Sequence, residues 1–125
     1  MNLKKRKNDS KWEPVTIMKI ELGCGLTKKD GYVEVDLIPE ADVQQDMYEY
    51  LNSIDDNCVD AIRAIDSLED ITKEEFLKVM KEILGVCKNG AILEIRVPYH
   101  TQSVNIGNPF HKTYFNEHTF RFFCR

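Results

Sequence analysis

The chain has 125 residues, 42% of them hydrophobic, with four cysteines, a formal net charge of −4 and a pI near 5.4. That length suits one domain around one core, and the acidic balance argues against broad binding of nucleic acid, which needs a positive face to displace counterions. No apolar run approaches a membrane span, and the basic start Lys4-Lys5-Arg6-Lys7 is followed by polar residues rather than by a signal core. The cysteines at 24, 58, 87 and 124 form no CxxC pair, so they read as reduced thiols of a cytosolic protein.

In chain order, residues 1–15 are polar and lysine-rich, and read as a flexible basic leader to a domain over 16–125. The apolar run Ile17 to Leu22 predicts a strand, Gly23-Cys24-Gly25 a tight turn, and Tyr32 to Asp36 a second strand ending in an acid. Strand, glycine turn, strand and acid form the arrangement that grips a nucleoside-bearing cofactor at the carboxyl ends of parallel strands. Glycines 23 and 25 let the backbone approach a ligand, and the Asp36 carboxylate can accept hydrogen bonds from a ribose diol. Only six residues, Leu26 to Gly31, connect these strands, fewer than the roughly 10–12 of a crossover that includes a helix. The first crossover helix is therefore expected to be vestigial or absent.

Farther along, Met47 to Leu51 predicts a short helix and Val59 to Ile65 another strand. Thr72 with Glu75 three residues on is a capping box, and Phe76, Met80, Ile83, Leu84 and Cys87 follow at helical spacing. Lys88-Asn89-Gly90 is the expected stop, with glycine taking the left-handed conformation. Ala91 to Val97 reads as a strand buried on both faces, ended by Pro98. Strands and helices alternate, so the fold class is α/β: a parallel, Rossmann-like sheet with flanking helices. Five of the six phenylalanines lie beyond Pro109, and this tail is expected to pack on the sheet or to form a dimer contact.

Glu21-Leu22-Gly23-Cys24-Gly25, Val35-Asp36, Asp46-Met47, Val59-Asp60-Ala61-Ile62, Ser67-Leu68-Glu69 and Lys81 through Lys88-Asn89-Gly90 to Val97-Pro98 resemble, in order, the motifs of class I S-adenosylmethionine-dependent methyltransferases. The likeness covers about four-fifths of the chain and is nearest to a group of small predicted methyltransferases. It implies transfer of a methyl group from S-adenosylmethionine to an acceptor, a small molecule or another group that the sequence leaves unnamed. By motif position, Glu21, Gly23, Cys24 and Gly25 would line the methionine and ribose part of the cofactor. Asp36, with Leu37 beside it, would hold the ribose hydroxyls, Asp46 and Met47 would meet the adenine, and Ala64 and Ile65 with Asp66 would face the sulfonium.

Where the acceptor atom carries a proton a base is needed, and Asp66, His100 and His111 are the candidates. Asn108-Pro109-Phe110-His111-Lys112 resembles a short motif after the fifth strand of these enzymes, consistent either with an acceptor-side lid or with a capped helix opening at Asn116. The three histidines match no standard metal-ligand spacing, so no metal is assigned. The resemblance stops before the last hairpin of the family's seven-stranded sheet, which leaves residues 91–97 as an apolar edge. That edge is expected to be covered by residues 99–125 or by a second copy in a homodimer, or else the chain is part of something longer. Two other functions fit the same motifs: a non-catalytic module that binds cofactor or partner, and a nicotinamide-dependent oxidoreductase. The latter would want glycine where Lys28 stands.

Overall fold

The structure is a computed structural model that describes residues 3–5, 12–14, 17–23, 25, 28–100, 102 and 106–123. Two short strands, β1 (Leu3–Lys5) and β2 (Trp12–Pro14), pair antiparallel within the expected leader and stand apart from the main sheet. That sheet has five parallel strands in the order β5-β4-β3-β6-β7, namely Val43–Gln44, Val33–Asp36, Lys19–Leu22, Val59–Ile65 and Cys87–Arg96. The chain runs outward from β3 through β4 to β5, then returns to the other side of β3 with β6 and β7. The α/β class is as the alternation of elements implies.

Two helices close one face of the sheet. In α1 (Met47–Ser53) the Asp46 carboxylate accepts the Glu49 N–H, and in α2 (Lys73–Val86) the Thr72 hydroxyl oxygen accepts the Glu75 N–H at 3.2 Å. Each cap satisfies an amide that the first helical turn leaves without a partner. Ile20, Leu22, Val35, Ile62 and Ala64 supply the sheet side of the core, and Leu51, Phe76, Val79, Met80, Ile83 and Val86 the helix side. Among the described residues between β3 and β4 there is no helix, and Lys29 to Gly31 instead make a turn closed by Tyr32 N–H on the Lys29 carbonyl.

Three expectations are corrected. The buried stripe of α2 is 76, 79, 80, 83 and 86, whereas Leu84 is exposed and Cys87 lies outside the helix. The helix stops at Val86 rather than at 88–90, because Cys87 turns extended and pairs with Val59. Gly90 does take a left-handed φ of +84°, but it does so within β7. There the register slips from Val59↔Cys87 to Ala61↔Ile92, a bulge that uses up the residues expected to end the helix. Finally, β7 is not buried on both faces. It is an edge strand with no further strand beside it among the described residues, and Ile92 is 69% exposed.

The aromatic tail folds back on α2. Phe115 is buried, and Phe76 makes edge-to-face contacts with Phe115, Phe120 and Phe123 at centroid distances of 5.2, 6.0 and 5.7 Å. The helix expected from Asn116 is a short 3-10 turn, Thr119–Phe123. No described helix is long and apolar enough to cross a membrane.

Candidate functional site

Outward progression on one side of β3 and return on the other place the sheet's switch point between β3 and β6. In open parallel sheets a crevice forms there at the carboxyl ends of the strands. Gly23 follows β3 and Ser67 lies just beyond β6, and their approach is tight: a Cβ on Gly23 would lie 3.0 Å from the Ser67 Cβ and 3.5 Å from the Met47 methyl. With φ at +67° as well, the position requires glycine on two independent grounds. Its N–H donates to the Val35 carbonyl at 2.9 Å, tying the turn to β4.

The resulting cleft, about 190 Å³, is lined by Gly23, Asp36, Leu37, Asp46 and Met47 together with Val35, Gln45, Ser67, Asp70 and Ile71. The first five are cofactor candidates from the sequence. Asp36 ends β4 and accepts from backbone amides through both oxygens, Oδ2 from Gly25 at 3.1 Å and Oδ1 from Leu37 at 2.7 Å. A carboxylate offers about four lone-pair sites, so two such bonds orient the group and leave it able to accept more. Asp46 spends Oδ2 on capping α1. The described lining holds three carboxylates, Asp36, Asp46 and Asp70, and no lysine or arginine.

Other candidates are not brought into this cleft. Glu21 is fully buried under the sheet, its carboxylate accepting from the Arg63 guanidinium and, at 2.8 Å, from the Lys29 N–H. It anchors the short first crossover. Ala64 belongs to the core on the helix face, Ile65 is buried, and Gly25 contributes its amide to Asp36. Cys24 lies outside the described residues.

A second cleft, about 450 Å³, opens beyond the ends of β6 and β7, with Asp66, Glu69, Arg96, Pro98, Asn108 and His111 in its lining. Asp66 sits at a left-handed φ of +52°, its N–H donating to the Arg96 carbonyl while the Arg96 guanidinium donates to its carboxylate at 2.7 Å. The Lys112 and Thr113 amides both donate to the Glu69 carbonyl, at 2.7 and 3.1 Å, which fixes the 108–113 segment over the strand ends. Residues 66–71 thus form a wall: Ser67, Asp70 and Ile71 line the first cleft, Asp66 and Glu69 the second. His111 Nε2 reaches to 3.8 Å from Asp70 Oδ1 across it. Burial raises the Asp70 carboxyl, while His111 and Lys112 oppose the rise. His100 lines neither cleft; its N–H donates to the Phe115 carbonyl and its ring lies 4.7 Å from that of Tyr99. Ser67, Asp70 and Glu69 were not singled out as site residues from sequence. Ser67 and Glu69 entered the sequence reading only as part of the motif Ser67-Leu68-Glu69, with no role assigned, and Asp70 only as a neighbour of that segment.

Among solved structures, the chain is similar to a SAM-dependent methyltransferase from Archaeoglobus fulgidus, with 21% identity and a TM-score of 0.71. The chain has the fold of a SAM-dependent methyltransferase. The match covers 86% of this chain and 59% of the archaeal one, so it spans less than two thirds of that protein's length. No protein-family description and no curated protein matches the sequence. Among the described residues no group of three or more His, Cys, Asp or Glu could hold a metal ion.

Proposed function

We propose that this chain binds S-adenosylmethionine in the cleft between Gly23 and Ser67, and that its methyl group passes directly to an acceptor held against residues 66–71, where the two clefts meet. The observation that carries the reading is the position of the cleft. It lies at the switch point of a sheet with the methyltransferase fold, with a left-handed glycine on one side and an acid at the end of the next strand. Asp36 would take the ribose hydroxyls, and Met47 and Leu37 would pack on the base. At about 190 Å³ the cleft falls short of the roughly 300–1,000 Å³ of a complete ligand pocket, so it suits the nucleoside part, with the remainder reaching toward Asp70.

Electrostatics separate this reading from a nicotinamide dinucleotide. Three carboxylates with no basic residue in the described lining repel a pyrophosphate, and the described residues between β3 and β4 form no helix whose amide terminus would ordinarily receive one. The same carboxylates favour a ligand carrying a sulfonium and an ammonium group. Methyl transfer from sulfur demands alignment more than covalent help, so a site built of backbone and acids is suited to it.

Calorimetric titration with S-adenosylhomocysteine and, separately, NAD tests the proposal. Micromolar binding of the first and none of the second is expected. Failure of a folded sample to bind S-adenosylhomocysteine refutes it.

A further inference from the structure

The first cleft accounts for Asp36, Asp46 and Asp70, but not for Glu69. Glu69 is only 2% exposed and lines the second cleft. Its Oε1 is buried with no hydrogen-bond partner. A buried carboxylate ordinarily has a counter-charge or a set of donors, but here Arg96 pairs with Asp66, His111 Nε2 lies toward Asp70, and Lys112 acts on Asp70. Asp66 and Asp70 add negative potential rather than relief, and Glu69 is the acid here left without a partner at Oε1. Arg96 lines the cleft but donates to Asp66, so what is missing is a donor for Glu69 itself.

We propose that the second cleft takes an amine as the methyl acceptor, its ammonium group seated on Glu69, which then receives the proton that the nitrogen must shed. This rests on the methyltransferase reading of the first cleft. An alkylammonium has no free lone pair. Passing one N–H proton to a Glu69 carboxylate oxygen frees the pair, which forms the new N–C bond as the methyl–sulfur bond breaks. The electrons of that bond stay on sulfur and convert the sulfonium to a neutral thioether, so charge and protons balance, with Glu69 left protonated until solvent takes the proton. Burial, and then Asp70 and Asp66, raise the Glu69 carboxyl above its ordinary range, while its own backbone amide and His111 pull the other way. A carboxyl so raised is a better proton acceptor than an exposed glutamate.

The test uses the full chain labelled with carbon-13 at the glutamate carboxyls and titrated with butylammonium, butyrate and butanol, with and without S-adenosylhomocysteine. Butylammonium is expected to move the Glu69 resonance with a roughly millimolar Kd and to lower the pH at which that carboxyl titrates. Butyrate and butanol should do neither. In Glu69→Gln, butylammonium binding should fall at least about tenfold while S-adenosylhomocysteine binding is retained. An unmoved Glu69 resonance at about 100 mM butylammonium, far above a millimolar Kd, overturns the proposal, as does equal binding of butyrate. The wild-type titration stands even where the variant folds poorly, because a merely structural carboxyl would not change its titration with an amine present. Loss of S-adenosylhomocysteine binding by wild type would instead refute the cofactor site, leaving the ammonium result to be read separately.

Discussion

At the scale of single residues, the sheet face opposite the helices carries a row that only strand register reveals. Glu34, Glu21, Arg63 and Glu94 lie side by side on β4, β3, β6 and β7. Two of the three acids share the one guanidinium. Arg63 serves Glu21 and approaches Glu94 at 3.5 Å, whereas Glu34, 3% exposed, keeps its Oε1 without a partner. Burial, and then Asp36, Glu21 and Asp42, push the Glu34 carboxyl upward, with Lys28 opposing. The folded state therefore holds this proton more tightly than the unfolded chain, so stability is full below the ordinary glutamate value near 4.3 and is lost as pH rises from there through the higher folded-state value. Glu34→Gln should stabilise the fold by on the order of 1 kcal/mol at about pH 7 and leave it unchanged at about pH 3. Urea midpoints at the two pH values check this. Asp36 is held by two amides, and Asp36→Ala should weaken S-adenosylhomocysteine by about 10-fold to 100-fold, the worth of one or two charge-assisted hydrogen bonds. Calorimetry on the variant would read an unchanged affinity if Asp36 lay outside the site.

At the scale of elements, the local signals were strong where a motif is self-contained and weak where a partner decides. The Thr72 cap, the glycine turn with its terminal acid, and the helix from Met47 were legible because each is fixed by neighbours within a few residues. The end of α2 was not, since pairing of Cys87 with Val59 ends a helix that composition would have carried to Lys88. Neither cleft could be assembled from sequence in full. Ser67 and Glu69 were legible as a motif, but they and Asp70 take a place in the clefts only when β6 ends beside Gly23 and the 108–113 segment docks on the Glu69 carbonyl. Tail and helix likewise depend on one residue, because Phe76 is the ring against which Phe115, Phe120 and Phe123 pack. Phe76→Ala should cost about 3–5 kcal/mol, and chemical denaturation followed by circular dichroism would register the loss. A cost below about 1 kcal/mol would mean that the tail is not seated on α2.

At the scale of the whole molecule, no strand among the described residues pairs with the outer side of β7. A ten-residue edge strand with Ile92 69% exposed and Leu93 37% exposed is open to pairing with another chain. Ile92→Lys, a charge on the outer strand, should lower concentration-dependent light scattering while changing stability by no more than about 0.5 kcal/mol. Scattering that does not fall would show that the edge is not the contact. The wall at 66–71 has a different reach. Because the two clefts share no described lining residue, neither ligand needs to be in place before the other enters or leaves. Under the proposed function the steady-state rate law is then that of random addition, with S-adenosylhomocysteine inhibiting competitively against the methyl donor and non-competitively against the amine.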